Sequence, residues 1–232
     1  MREFTTIYWD VDGTLLDFPY SQRCSLKQCF RSINRELTEE MIQRYSQIND
    51  SFWKRLELGE VTKEELLKGR FLQLFEEYGI DGVDVSSFMK QYQEGLGNNY
   101  QFIDDSLTVC KSLHGRVKQY VITNGVTVTQ ERKLKLSGLA DMMEAIFISE
   151  SIGAPKPQKE FFDYCLSHTE EKDKTKILIV GDSLSSDIKG GIMAGIPTCW
   201  YRPDEMVNDT EYVPNFEIND LHRIYDILKV FG

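Results

Sequence analysis

Asp10-Val11-Asp12-Gly13-Thr14-Leu15 follows directly on the apolar run Ile7-Tyr8-Trp9, so a short buried strand ends in two carboxylates spaced i, i+2. Alternate side chains of an extended strand share a face, and two like charges on one face repel. Such a pair persists when something cationic sits between the acids or when one of them keeps its proton. Either arrangement points to chemistry, and a metal site is the first candidate. An EF-hand loop is excluded, because it needs Gly at its sixth position and Glu at its twelfth. Counted from Asp10, those positions hold Leu15 and Ser21. A plain Asp- and Gly-rich surface turn is the bland alternative that the rest of the chain has to outweigh.

Outward from this stretch, Asp17-Phe18-Pro19-Tyr20 marks a break. Leu26, Cys29, Phe30 and Ile33 then recur at helical spacing, with Ser21 placed to cap. A second helix is expected over residues 38–58. A third stands behind the capping box Thr62-Lys63-Glu64-Glu65, with the stripe Leu67, Phe71, Leu74, Phe75 and Tyr78. A fourth carries Phe88, Met89, Tyr92 and Leu96, and Gly95-Leu96-Gly97-Asn98-Asn99 reads as a linker. Residues 17–102 are therefore expected to be an all-helical insertion. From Ile103 onward short apolar strands alternate with helices, the strands falling at 117–122, 146–148, 177–180 and 198–201. That alternation implies right-handed crossovers and a parallel sheet.

The 232 residues can bury a substantial core in one or two domains. A net charge of −10 without a basic run makes nucleic-acid polymers and anionic membranes poor partners. An anionic small molecule is compatible with it, since a pocket can be locally positive. No signal-peptide core and no apolar run of transmembrane length is present, and the five cysteines are scattered without a C-x-x-C pair. Reduced thiols in a cytoplasmic protein are expected, and a zinc site is not.

In open parallel sheets, ligands bind beyond the carboxyl ends of the strands. Asp10 and Asp12, Thr123 and Asn124, and Asp182 with Asp187 all follow the ends of apolar runs. The carboxylates of Asp10, Asp12 and Asp182 offer the oxygen-rich surroundings that Mg²⁺ prefers. Thr123-Asn124-Gly125 opens a helix and makes an anion seat, although alone it would pass for an ordinary turn. Lys156, between Pro155 and Pro157, is a lysine on a stiffened stem suited to a phosphoryl oxygen; a solvated loop lysine is the alternative. For Asp187 a helix N-cap is the bland alternative. Gly190, Gly191, Ala194 and Gly195 are small enough to let the helix they sit on lie close to the sheet.

At this point the chain resembles the haloacid dehalogenase-like (HAD) superfamily of phosphohydrolases, over nearly its whole length. The family's four motifs stand here as Asp10-Val11-Asp12-Gly13-Thr14, Thr123 in Ile122-Thr123-Asn124-Gly125, Lys156 between its prolines, and Gly181-Asp182-Ser183 followed by Asp187. The resemblance implies an α/β fold, a Rossmann-like parallel-sheet core (1–16 and 103–232) with an inserted all-helical cap of the C1 type (17–102) that closes over substrate. The stretches Ile48-Asn49-Asp50-Ser51-Phe52-Trp53, Gly69-Arg70-Phe71 and Gln130-x-x-Lys133-Leu134 are similar to the bacterial house-cleaning pyrimidine 5′-nucleotidases of this superfamily.

By this resemblance Asp10 is the nucleophile that forms an aspartyl-phosphate, and Asp12 protonates the leaving oxygen and then activates water. Thr123, Asn124 and Lys156 bind the phosphate. Mg²⁺ is held by Asp10, the backbone carbonyl of Asp12, Asp182 and Asp187. The implied substrate is a pyrimidine or modified pyrimidine nucleoside 5′-monophosphate, with Asn49, Trp53 and Arg70 as candidate contacts. A sugar-phosphate phosphatase and a phosphomutase share the same acid. A non-enzymatic binding protein on this fold would be expected to have lost a motif residue, and none is missing.

Overall fold

The structure is a computed structural model and describes residues 4–203 and 207–229. Two compact units divide it, Met1–Phe18 with Tyr100–Gly232, and Pro19–Asn99.

In the first unit, β1 (Thr6–Trp9), β2 (Lys118–Thr123), β3 (Ala145–Ile148), β4 (Ile177–Gly181), β5 (Thr198–Tyr201) and β6 (Phe216–Ile218) form one sheet in the order β3-β2-β1-β4-β5-β6. Every neighbouring pair is parallel. The order reverses between β1 and β4, the switch point at which an open sheet leaves a crevice. Period-two alternation fills both faces. Ile7, Trp9, Val121, Leu178 and Val180 pack on one side with Val109, Cys110, Leu134 and Ile224. Tyr8, Tyr120, Ile122, Ile177 and Ile179 pack on the other with Phe161, Phe162 and Cys165.

The helices that follow α1 (Phe18–Ser32), α2 (Glu39–Glu57), α3 (Lys63–Glu77) and α4 (Val85–Asn98) alternate with the strands. They are α5 (Ser106–Leu113), α6 (Thr127–Ser137), α7 (Ser149–Ile152), α8 (Lys159–Ser167), α9 (Lys189–Ala194) and α10 (Ile224–Leu228). A Cβ on Gly191 of α9 would stand 2.3 Å from Thr198 Cγ2, so the small residues there do permit a close approach. Where the chain leaves this unit and returns to it, Leu16 and Phe102 form an antiparallel bridge. Asp17 N–H donates to Gln101 O at 2.9 Å and Ile103 N–H to Leu15 O at 3.1 Å beside that bridge.

The second unit consists of α1 to α4. The Thr62 capping box is present, with Glu65 answering the Thr62 N–H. Four details of this unit depart from expectation. Helix α1 begins at Phe18, with Pro19 in its first turn where no amide is needed, and Ser21 lies buried inside the helix rather than capping it. The buried stripe of α3 runs through Leu66, Arg70, Phe71, Leu74 and Phe75 rather than Leu67, because Arg70 turns inward. Tyr78 is the C-cap of that helix and is half-buried. Gly95, Leu96, Gly97 and Asn98 are helical, not a linker. A Cβ on Gly95 would stand 2.9 Å from Ser25 Cβ, so the glycine serves helix packing.

All five cysteines are free thiols, and all but Cys24 are buried. Burial pushes Cys29 and Cys110 up to about 12. No helix among the described residues is long and apolar enough to cross a membrane.

Candidate active site

The carboxyl ends of β1, β2 and β4 bring Asp10, Thr123, Asp182 and Asp187 together, with Lys156 reaching in from the loop before α8. Lys156 Nζ lies 2.6 Å from Asp10 Oδ1, 2.6 Å from Asp187 Oδ1 and 3.0 Å from the Ile122 carbonyl. The ammonium is thus fully coordinated although Lys156 is only 1% exposed. Burial alone would lower its pKa; the two carboxylates outweigh that and raise it. Asn124 holds the lysine in place from behind, accepting from Lys156 N–H at 2.8 Å and donating to its carbonyl at 3.0 Å. Thr123 is buried, and its hydroxyl accepts from Gly125 N–H at 3.1 Å, closing the turn.

Asp182 stands at the end of β4, its backbone carbonyl fixed by Trp200 Nε1 at 2.8 Å. Thr14 Oγ1 donates to Asp182 Oδ1 at 3.2 Å. Asp187 is not an N-cap. Ser183 performs that task, accepting from Ser186 N–H, while Asp187 Oδ2 accepts from Ser183 N–H at 3.2 Å. A wide helical turn over Leu184–Ile188 delivers it to Lys156.

Carboxylate oxygens of Asp10, Asp182 and Asp187 lie within 4.8 Å of one another. Three carboxylates against one ammonium leave two negative charges uncompensated, the charge a divalent cation supplies. Without one, burial, with Asp187 and Asp182 beside it, raises the Asp10 carboxyl well above its usual range against the pull of Lys156. Burial and Asp187 push Asp182 up to about 7. An all-oxygen donor set in which burial disfavours the ionised forms of Asp10 and Asp182 fits a hard cation such as Mg²⁺.

Asp12 behaves differently from expectation. The strand ends at Trp9, and the chain turns through Gly13 at φ +97°. Each carboxylate therefore pairs with its own lysine, Asp10 with Lys156 and Asp12 with Lys133. Asp12 Oδ1 accepts from Lys133 Nζ at 2.5 Å, and Oδ2 accepts from Gln130 Nε2 at 2.5 Å. The partners Lys133 and Gln130, like Thr14 and Trp200, carry no role in the sequence reading. The i, i+3 spacing of the two buried polar residues on α6 was the available signal.

In the helical unit, Asn49 and Arg70 are buried and joined, Arg70 Nη1 donating to Asn49 Oδ1 at 2.6 Å. The guanidinium lies 5.9, 5.2 and 5.1 Å from the ring centres of Tyr45, Phe71 and Tyr92. Its Nε and Nη2 meet no acceptor among the described residues. Trp53 is half-buried, with Lys63 Nζ 4.3 Å from its ring.

Residues 7–201 match the family model of the haloacid dehalogenase-like hydrolases. The chain belongs to that family. Among its relatives, this HAD hydrolase is 37% identical to the candidate HAD-hydrolase YfnB of Bacillus subtilis, over 99% of this chain and 97% of that one. It is 33% identical to the pyrimidine 5′-nucleotidase PynA of Streptococcus pneumoniae, over 96% of this chain and 94% of the relative. With the pyrimidine 5′-nucleotidase YjjG of Escherichia coli the identity is 29%, over 96% of both chains. A crystal structure of YfnB bound to magnesium superposes with a TM-score of 0.94 at 37% identity, covering 99% of this chain and 100% of that one. The protein is accordingly a HAD-family phosphatase with a Rossmann-like core.

Proposed function

We propose that this phosphatase is a Mg²⁺-dependent 5′-nucleotidase acting on pyrimidine nucleoside monophosphates through an aspartyl-phosphate at Asp10. The observation that carries the chemistry is the buried Lys156 ammonium, 2.6 Å from both Asp10 and Asp187. It keeps the nucleophile oriented and leaves Asp10 Oδ2 as its second oxygen, with Thr14 Oγ1 at 3.4 Å. The nucleotide reading is supported by the two nucleotidase relatives, which align over almost the full chain, helical insertion included.

An oxygen of Asp10 attacks the phosphorus in line. The bond to the ester oxygen breaks, and that oxygen takes the bonding pair and a proton from Asp12. Asp12 then takes a proton from water as the water oxygen attacks phosphorus, the bond to Asp10 breaks and phosphate leaves. Lys156 and the Thr123 turn face the charge on the phosphoryl oxygens. Asp10, Asp182, Asp187 and the Asp12 carbonyl would hold the cation, which when bound supplies further charge neutralisation. Base recognition is assigned to the ring of Trp53, which is half-buried, and to the Asn49–Arg70 pair.

The test is phosphate release from pyrimidine and purine monophosphates, sugar phosphates and flavin mononucleotide, with Mg²⁺ or with EDTA. A preference in kcat/KM for pyrimidine monophosphates is expected, abolished by EDTA and reduced more than about 10,000-fold in Asp10→Asn. Arg70→Met is expected to raise KM for the preferred nucleotide without a matching loss on a sugar phosphate. A flat profile or a sugar-phosphate optimum would overturn the nucleotidase reading. Activity surviving Asp10→Asn would overturn the nucleophile.

A further inference from the structure

Lys133 is fully buried on α6, yet the partner the structure gives its ammonium is the Asp12 carboxylate, whose side chain is 23% exposed. A buried ammonium is expensive unless paired and hydrogen-bonded, and a pair with one end open to solvent is a poor way to recover that cost. The arrangement makes more sense as a device that acts on Asp12. Gln130, one helical turn earlier and also buried, takes the other carboxylate oxygen. It does so although its own Oε1 is left without a partner. Gly125 makes room for it, since a Cβ there would stand 2.2 Å from Gln130 Nε2. The turn that carries Thr123 and Asn124 is thereby coupled to the placement of Asp12.

We propose that Lys133 and Gln130 are positioning residues that fix the Asp12 carboxyl from the protein side and leave its remaining lone pairs on the exposed side. The proposal rests on Asp12 as the proton donor of the reaction above. Two donors, one on each oxygen, remove the freedom to rotate about the Cβ–Cγ bond. Both contacts hold whether or not the carboxyl carries a proton, because its oxygens accept in either state. A proton donor displaced by about 1 Å loses on the order of 100-fold in rate, so the effect of the clamp is measurable.

The leaving group separates positioning from a merely structural role. An alkoxide needs a proton to depart, whereas p-nitrophenolate leaves without one. Because kcat/KM covers only the steps up to departure, it isolates this difference. The experiment compares dUMP and glycerol 3-phosphate with p-nitrophenyl phosphate in the wild type, Lys133→Met, Lys133→Arg, Gln130→Met and Asp12→Asn, after melting curves establish that each variant folds. In Lys133→Met the alkyl-to-aryl ratio of kcat/KM is expected to fall at least about 30-fold. Gln130→Met should fall less in the same direction, Lys133→Arg should recover part of the loss, and Asp12→Asn should show the largest fall. Equal losses on both ester classes in Lys133→Met and Gln130→Met, with a differential loss kept in Asp12→Asn, would overturn the positioning role and leave Asp12 as donor. No differential loss in Asp12→Asn would overturn the donor and the clamp together. Should Lys133→Met fail to fold, Gln130→Met decides by the same ratio.

Discussion

Lys156 Nζ and Asp10 Oδ1 stand 2.6 Å apart, although 146 positions separate the two residues in the chain. The same ammonium reaches Asp187 at an equal distance, so one lysine bridges two buried carboxylates. Removing one member of such a group leaves uncompensated charge in a buried place.

Lys156→Met is therefore expected to destabilise the metal-free protein by about 3–5 kcal/mol. Saturating Mg²⁺ should restore much of the melting temperature, because a cation compensates the same carboxylates, while phosphate release stays lost. Thermal melts with and without Mg²⁺ read this directly. A variant that melts like the wild type in EDTA would show that the pair is not what neutralises the site.

The pH dependence follows from Asp182, pushed up to about 7 by burial and by Asp187. An unfolded aspartate titrates near about 3.9. Between those values the folded state carries the extra proton, so this group's contribution to metal-free stability is present at low pH. It is lost as pH rises through the folded pKa. Cation binding displaces that proton, and Mg²⁺ affinity should weaken about tenfold per pH unit below 7. Isothermal titrations across pH 5 to 8 test it; an affinity independent of pH over that range would contradict the assignment of Asp182.

Gly13 is held at φ +97°, and a Cβ there would stand 2.5 Å from Asp182 Oδ2. Gly13→Ala is expected to cost about 1–3 kcal/mol through the backbone alone. It should also move the Asp182 carboxylate, so Mg²⁺ binding should weaken further than the melting temperature implies. A variant with full Mg²⁺ affinity and only a lower melting temperature would confine the glycine's role to the turn.

Much of this site could be read from local sequence, because motifs that end apolar runs share one sheet edge whatever the details of the helices. Asp10 and Asp182 follow β1 and β4, and Thr123 ends β2, for that reason. What could not be read depends on distant neighbours. The partners of Asp12 lie 118 and 121 positions away; their i, i+3 spacing pairs them with each other but does not name the acid they hold. Gly95 to Asn98 are helical where local propensity favours a break, and Gly95 packs against the distant Ser25. Strand β6 spans three residues, too few for periodicity to register.

The bridge between Leu16 and Phe102 makes the helical insertion a cassette. Its two ends leave the sheet side by side and hydrogen-bonded in register, so the core does not depend on the length or sequence of what is threaded between them. Loop closure grows only slowly with length, and here the ends are already joined. These helices can change in length or sequence while Asp10 and Lys156, both in the other unit, keep their distance. The insertion and the acidic edge of the sheet are thus free to evolve at different rates within one chain.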